Sequence, residues 1–388
     1  MNAHADGGDV EARNMRLVGH SDLEGHGDCM HVNLKDGYAY IGHMGESRVG
    51  TSVVDVSDPQ SPRVVRQIET PPGTHSHKVQ VVADVLVVNY ERNTREPDAT
   101  SWTAGLKTFD VSRPEDPKEL GFMPVNGRGV HRMTYFEAPY AYMSATDEGF
   151  TEQFLLIADL SDPSRPKEIG RWWFPGMNAG AGETPTWDVV QRSFKHHHPL
   201  IRGDRAYATW WDAGVVVLDI SDKERPEMVG WIDFGEQVGT CTHSAVPVPG
   251  KELLVVTQES VKDGCNEGPK DVRIVDISDE TDPKVISIFP VPKGDFCSRG
   301  GRFGPHNLHE MRPGSLVSSD EVYLTYFNAG IRVVDISDPR APTEVGYYIP
   351  EAPAGQPAIQ LNDVLVGPDG LIYVTDRLNG GLYILERT

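Results

Sequence analysis

One short phrase recurs along the chain, and it constrains the fold more than any other feature. Each copy joins apolar, mostly β-branched residues to an Asp, a further apolar residue and a Ser, and Asp-Pro often follows. Six copies are centred on Asp55, Asp110, Asp159, Asp219, Asp276 and Asp335, and a degenerate seventh ends at Glu386. The steps between them are 55, 49, 60, 57, 59 and 51 residues. A fixed period of this size is typical of repeat architectures, including the blades of propellers.

Each repeat contains the same parts in the same order. A β-rich run such as 38–41 precedes the phrase, and a short strand such as 167–170 follows it. The Ser-Asp-Pro segment between them predicts a turn, because Asp and Ser bond their own backbone and Pro presets φ. With the strand that opens each unit, there are four strands per repeat. The sequence therefore predicts an all-β fold, a seven-bladed β-propeller of four-stranded blades.

The N-terminus carries a segment that has no unit of its own. Residues 15–19, MRLVG, resemble the closing strand of a repeat, whereas the last repeat ends at Thr388 without one. We expect this N-terminal strand to close the last blade, which seals the ring and removes two open sheet edges. The alternative is a frayed leader that only looks like a strand. The predicted domains are a flexible N-terminus, 1–14, and a single propeller, 15–388.

The repeated phrases resemble those of the LVIVD-repeat proteins. The clearest copies are VVDVSDP at 53–59, IADLSDP at 157–163 and VVDISDP at 333–339. The resemblance extends over roughly residues 15–388 and implies a β-propeller. It implies no particular activity, because propellers carry many chemistries.

Charge and composition restrict the kinds of partner that we expect the protein to bind. The chain has 36 Lys and Arg against 57 Asp and Glu, a net charge of -21. Such a surface repels nucleic acid and anionic lipid, so we expect neither nucleic acid nor a membrane as partner. No apolar run approaches the roughly 20 residues that span a bilayer. The first residues lack the basic and apolar regions of a secretory signal, which favours a cytoplasmic protein. The expected partner is a small-molecule substrate, and the sequence does not indicate the oligomeric state.

The four cysteines offer no thiolate metal site, because none forms a CxxC pair. Cys265 and Cys297 lie in Gly-rich loops where a disulfide is feasible. Free thiols are the expected state in a reducing compartment.

Most of the 14 histidines stand at the start of a repeat, before or within its first strand. An alignment of the repeats places five of them at one shared position, which Met30 and Asn362 occupy in units one and seven. These five are His77, His131, His197, His243 and His309. The innermost strand of a blade lines the central channel, so we expect these imidazoles to converge near the axis. Four further histidines near the starts of units are candidate ligands: His26, His31, His75 and His306.

Converging imidazoles indicate a divalent transition metal, with Zn, Mn or Fe expected and Cu as the lesser alternative. The competing interpretation is that each histidine is a hydrogen-bonding spacer between blades. Either Glu310 or Asp363 is a candidate general base or metal ligand, and His198 is a candidate proton carrier. Lys78 and Arg132 are candidates for binding an anionic substrate, or else members of ordinary ion pairs.

Two long loops are candidate covers for the channel mouth. Residues 172–188 are rich in aromatics and glycines, which suits a lid over an aromatic or apolar ligand. Residues 293–303 add two arginines before unit six. Both loops are equally consistent with surface decoration.

These features predict a metal-dependent enzyme that acts on a small anionic or aromatic substrate at a His-lined channel. Lyase, hydrolase and isomerase chemistry all fit. The sequence has no nucleophile elbow, P-loop or dinucleotide fingerprint, so serine hydrolase, NTPase and nicotinamide chemistry lack support. The alternative function is a non-catalytic binding or scaffold propeller with structural histidines.

Overall fold

A computed structural model describes residues 11–45, 48–235 and 239–388. Seven antiparallel sheets form a ring of blades, as predicted. Six have four strands, and the second blade has five, because two short strands in it both pair with the same neighbour. Five blades are continuous in sequence. Their strands are β3 (Cys29–Lys35), β4 (Tyr38–His43), β5 (Val49–Asp55) and β6 (Arg63–Glu69); β7 (Thr74–His75), β8 (Val79–Val82), β9 (Val85–Arg92), β10 (Gly105–Asp110) and β11 (Lys118–Pro124); β12 (Val130–Thr134), β13 (Tyr140–Ala145), β14 (Phe154–Asp159) and β15 (Lys167–Trp172); β16 (Pro199–Arg202), β17 (Arg205–Thr209), β18 (Val215–Asp219) and β19 (Glu227–Ile232); β20 (Thr242–Pro247), β21 (Leu253–Gln258), β22 (Val272–Asp276) and β23 (Lys284–Ile288).

The other two blades each take their outermost strand from the N-terminus. Blade 6 consists of β24 (Glu321–Thr325), β25 (Ile331–Asp335), β26 (Thr343–Ile349) and β1 (Glu11–Arg13), and blade 7 of β27 (Leu361–Val366), β28 (Ile372–Asp376), β29 (Gly381–Arg387) and β2 (Met15–Ser21). The pairing of β2 with β29, from Met15 opposite Arg387, confirms the predicted closing strand.

Strand structure extends further towards the N-terminus than the sequence suggests. Residues 11–13 fall in the terminus expected to be flexible, yet strand β1 pairs with β26, with Glu11 opposite Ile349. Two successive blades are therefore closed by one N-terminal segment, which removes a second open edge. Residues 1–10 lie outside the described part of the chain.

The repeated phrase forms one strand in each of six blades, and each of these strands, β5, β10, β14, β18, β22 and β25, ends at the Asp of its phrase. The Val and Ile side chains of the phrase are buried between neighbouring sheets, as Val53 and Val54 show. The Asp then turns the chain: Asp55 accepts from the Ser57 backbone N–H at 3.1 Å, and Asp335 from that of Ser337 at 2.7 Å. The phrase thus specifies both a buried strand and the turn that ends it.

Bulges interrupt the inner strands at one recurring point. In four blades the pairing between the first and second strands skips one residue, which is Met30, His131, His243 or Asn362. A bulge leaves its extra residue unpaired and re-aims the side chain. These four residues occupy the shared position predicted from the repeats.

Cys265 and Cys297 form a disulfide, with 5.5 Å between their Cα atoms. The expectation of free thiols at these positions was wrong, because the loops are joined by the fold: the Gly264 N–H donates to the Gly301 carbonyl at 2.9 Å. Disulfides are typical of oxidising compartments, whereas the sequence predicts the cytoplasm. Within the described ranges, no helix has both the length and the apolar character needed to cross a bilayer.

Candidate metal centre

Five histidines from five successive blades form an arc around one end of the axial channel. They are His77, His131, His197, His243 and His306. Neighbouring ring centres are 5.0, 5.3, 4.3 and 4.3 Å apart in that order. They line a cavity of about 270 Å³ at the channel mouth. Met30 and Asn362 hold the corresponding positions in blades 1 and 7.

In blade 6 the residue at the shared position is His306 and not His309, so the alignment was wrong there by three residues. The His306 N–H donates to the Thr325 carbonyl at 2.9 Å, as that of His197 does to Thr209 at 2.8 Å. His309 lies between blades 6 and 7, where Nε2 is 2.8 Å from the Leu316 carbonyl and Nδ1 accepts from the Val366 N–H at 3.2 Å. Both of its ring nitrogens are thus engaged within the protein.

In three of the five rings, Nδ1 carries the proton and donates it to a fixed acceptor. His197 Nδ1 is 2.9 Å from the His243 carbonyl, and His306 Nδ1 is 2.6 Å from the Asn362 carbonyl. A carbonyl only accepts, so each Nδ1 carries the proton. His131 Nδ1 is 2.9 Å from a carboxylate oxygen of Glu91, which fixes the same arrangement.

A chain of hydrogen bonds fixes the fourth ring, His243. Thr134 donates its only proton to the Pro199 carbonyl at 2.5 Å, so its oxygen accepts from His198 Nε2 at 3.3 Å. His198 Nδ1 must then accept from the Ser244 hydroxyl, at 3.3 Å. The Ser244 oxygen consequently accepts from His243 Nδ1 at 2.9 Å.

Four neighbouring rings therefore each keep an Nε2 lone pair. A neutral imidazole with its proton on Nδ1 is the form that binds a metal, and the partner of that proton orients the ring. Imidazoles bound to one ion through bonds of about 2.0–2.1 Å have neighbouring ring centres about 4.5–5.5 Å apart. The observed separations among His131, His197, His243 and His306, 4.3–5.3 Å, are close to that range. The ligand atoms of His197, His243 and Glu259 lie within 4.8 Å of one another, so Glu259 is a further candidate ligand.

Burial keeps three of these rings neutral. It lowers the pKa of His197, His243 and His306 well below the usual value, and neighbouring histidines and cations lower the pKa values further. Neutral imidazole is the state that a metal requires. Burial would raise the pKa of Glu91, but His131 and His75 outweigh it and lower that pKa, so the carboxylate is ionised.

His77 and His75 have a different arrangement. The Asn89 side-chain oxygen accepts from the Lys78 N–H at 2.7 Å, and its amide donates to the Val130 carbonyl at 2.7 Å and to His77 Nδ1 at 3.1 Å. The proton of a neutral His77 is thus on Nε2, which leaves no lone pair for a metal. His75 directs Nε2 at Glu91, 3.1 Å away. Although the ligand atoms of His75, His77 and Glu91 lie within 4.8 Å of one another, this hydrogen bonding disfavours a metal there.

The residues that follow the shared position form a second, deeper layer. It contains His31, Lys78, Arg132, His198 and Asp363, joined by Glu310 from the loop after His309. Arg132 donates to Glu310 at 3.1 Å, and His198 Nε2 is 3.4 Å from the same carboxylate. All five predicted catalytic residues thus belong to this layer, and two of them, Lys78 and Arg132, also line the mouth cavity.

Asp363 and His31 complete this layer. Asp363 accepts from the Val32 N–H at 2.8 Å and lies 3.8 Å from His31 Nε2. Burial and then Glu310 raise the pKa of Asp363 to about 6, whereas burial and then Arg132 lower that of Lys78 to about 7. His31 Nδ1 accepts from the Val79 N–H at 3.3 Å. His26 is half-buried on the loop before β3, outside the residues that line the mouth cavity.

Three charged residues that surround the arc, Glu91, Glu259 and Arg377, are not among the candidates named from the sequence. Glu259 lies 3.9 Å from His243 Nε2 and 3.7 Å from His306 Nε2, and it accepts from Arg302 at 2.9 Å. Arg377 also lines the cavity. Glu91, Glu259 and Arg377 all stand at the end of the second strand of their blades. That register, had it been followed across the repeats, would have revealed them.

Of the two loops predicted as candidate covers, one lines the mouth cavity and the other does not. The 172–188 loop is not a lid: none of its residues lines the mouth cavity, and its aromatics pack against blades 3 and 4, where Phe174 meets Trp210 with ring centres 5.1 Å apart. The 293–303 loop does reach the cavity and contributes Arg302.

Fold and site together define a class of protein: a closed seven-bladed β-propeller with an arc of histidines at one end of its channel. The LVIVD repeat family model matches residues 26–70, 139–172, 200–233 and 316–349. The chain therefore contains LVIVD repeats in four regions, which confirms the resemblance seen in the sequence. The search of curated proteins finds no match.

Solved structures similar to this chain are propellers of differing function. The periplasmic gluconolactonase of Pseudomonas aeruginosa has a TM-score of 0.59 at 10% identity, over 96% of this chain and 94% of that one. A hypothetical selenium-binding protein from Sulfolobus tokodaii has a TM-score of 0.56 at 14% identity, over 91% and 90%. The C-terminal WD40 domain of Sif2 has a TM-score of 0.58 at 8% identity, over 96% and 98%. At these identities the similarity establishes the fold alone.

Proposed function

We propose that this protein is a metal-dependent enzyme that acts on a small anionic substrate at the channel mouth. The ion is held by Nε2 of His131, His197, His243 and His306. An all-imidazole set suits Zn, Fe or Cu, whereas Mn prefers oxygen ligands. A bound ion of this kind polarises a carbonyl or carboxylate, or activates water, as lyase, hydrolase and isomerase chemistry requires.

The observation that carries the proposal is the shared orientation of four rings. A histidine that serves only as a spacer uses both ring nitrogens within the protein, as His309 does, whereas Nε2 of each of these four rings has no hydrogen bond to a described residue. Here four rings in succession have Nδ1 committed to an acceptor, by three different means: two carbonyls, a carboxylate and a hydroxyl. Glu91 and Glu259 supply negative charge beside the rings, which favours a bound cation.

The choice of an anionic substrate rests on the charge of the cavity. Six cationic residues line it, although the chain as a whole has a net charge of -21: Lys78, Arg128, Arg132, Lys195, Arg302 and Arg377. Such a local reversal of sign concentrates anions at the site. Arg132 and Lys78, just below the arc, are placed to stabilise negative charge that develops on a substrate held by the ion.

The test is metal analysis of purified protein in parallel with a double variant, H131A/H243A. We expect about one transition-metal ion per chain in the wild type and loss of most of it in the variant, with the circular dichroism spectrum unchanged. A matched control is H309A, because His309 is buried in the same blade system but lies outside the arc. Metal-free wild-type protein that cannot be loaded would refute the enzyme proposal and favour the binding or scaffold function.

A further inference from the structure

The channel mouth is not symmetrical. The histidines of blades 3 to 6 offer hydrogen-bond acceptors, whereas the opposite side of the mouth, formed by blades 7, 1 and 2, offers donors. Blades 3 to 6 contribute lone pairs, whereas blades 7, 1 and 2 contribute Asn362, Met30 and His77. The Asn362 amide donates to the Met30 carbonyl at 2.6 Å, which joins blades 7 and 1. The donors and basic groups that line the cavity from this side are His77, Lys78 and Arg377, beside Met30 and the Glu91 carboxylate.

His77 provides the first unsatisfied donor. Its Nδ1 accepts from Asn89, so the proton of the neutral ring is on Nε2. The side chain is 1% exposed, and Nε2 has no hydrogen-bond partner among the described residues. A buried N–H without an acceptor costs free energy, on the order of 1–3 kcal/mol. An acceptor supplied by a ligand in the cavity removes that cost.

Arg377 provides the second unsatisfied donor. Its guanidinium lies 5.6 Å from the Phe327 ring, and within the described ranges its Nη1 is buried with no partner and it forms no ion pair with a carboxylate. The neighbouring Arg302 is already paired with Glu259 at 2.9 Å. Burial and then Arg302 lower the pKa of Arg377 to about 10, so it is charged at neutral pH. A buried cation of this kind calls for an anion.

Lys78 adds an amine below these two donors, and its pKa of about 7 leaves it partly protonated at neutral pH. It is 3% exposed, and its nitrogen has one long contact, 3.5 Å to the Met30 carbonyl. Lys78 and Arg377 line the same cavity, from blades 2 and 7.

We propose that this side of the mouth, His77, Lys78 and Arg377, is a carboxylate-binding subsite. It rests on the proposed function, because the carboxylate would belong to the substrate whose reacting end meets the ion across the cavity. A monoanion fits better than a phosphate dianion, because Glu91 and Glu259 flank the site and repel a second negative charge.

The experiment measures benzoate binding to chelator-treated, metal-free protein by titration calorimetry. We expect R377M and H77F each to weaken binding at least tenfold. R299M is the matched control, because Arg299 also lies over a phenylalanine, Phe296 at 4.4 Å, but outside the cavity; its affinity should equal that of the wild type. H77Q, which retains a side-chain N–H donor, should recover part of the affinity.

The results separate this subsite from the metal. Benzoate binding that depends on Arg377, in protein that never takes up a metal, would support the subsite and refute the metal function. Metal uptake without benzoate binding would overturn the subsite alone. Inorganic phosphate binding more tightly than benzoate, or equal loss of affinity in R299M, would also overturn it. Thermal unfolding of each variant identifies any that fails to fold, and H77Q and R377M then serve as independent tests.

Discussion

Replacing Ser244 with alanine tests the hydrogen-bond chain that fixes His243. The Ser244 oxygen accepts from His243 Nδ1 at 2.9 Å, and its proton is directed at His198 Nδ1, 3.3 Å away. In S244A the His243 proton loses its acceptor and is free to move to Nε2, which removes the lone pair that a metal needs. A bound ion also makes the Nδ1 proton more acidic, so the lost bond is stronger in the loaded protein than in the free protein.

The expected loss is 10–100-fold in metal affinity, the usual effect of removing the partner of a ligating histidine. This corresponds to about 1.4–2.8 kcal/mol. The assay is competition for Zn²⁺ with a chromophoric chelator. The control is S287A, because the Ser287 hydroxyl also bonds a neighbouring blade, at the Pro339 carbonyl, away from the arc. Wild-type affinity in S244A, or an equal loss in S287A, would refute the reasoning.

Three further predictions concern the carboxylate, the disulfide and the ring closure. E91Q should lower metal affinity roughly tenfold in the same competition assay, because His131 loses an anionic partner; an unchanged affinity would show that Glu91 does not orient the ring. C265S should lower the free energy of unfolding in urea by about 3–4 kcal/mol, as expected for a bond that closes 32 residues of sequence separation; a reductant should do the same to the wild type and nothing to the variant. Deletion of residues 1–21 should broaden and lower the thermal transition, since blades 6 and 7 both lose an outer strand; a transition like that of the full chain would argue against closure by this segment.

The fold was predictable because its signal is repeated. Each copy of the phrase specifies a buried strand and a turn, so errors in one copy are corrected by the others. The closing strand was predictable because the chain has an extra strand at Met15 and the last repeat lacks a strand after Arg387. Strand β1 was not predictable in this way, because Glu11–Arg13 is exposed and has no apolar pattern.

The site was predictable only where it followed the repeat. The register brought His77, His131, His197 and His243 to one position, and it failed in blade 6, where the first strand is reduced to a short ladder around His306. The orientation of each histidine ring could not be predicted from the sequence, because it depends on contacts between residues that are distant in the sequence. His131 is set by Glu91, 40 residues away, and His306 by Asn362, 56 residues away.

The most direct measurement is X-ray absorption spectroscopy of the metal-loaded protein, with anomalous diffraction from crystals to place the ion. Four imidazole nitrogens at about 2.0–2.2 Å, with the anomalous peak among His131, His197, His243 and His306, are the predicted result. A peak at His75, His77 and Glu91, or a spectrum with one or two nitrogens and mostly oxygen ligands, would contradict it.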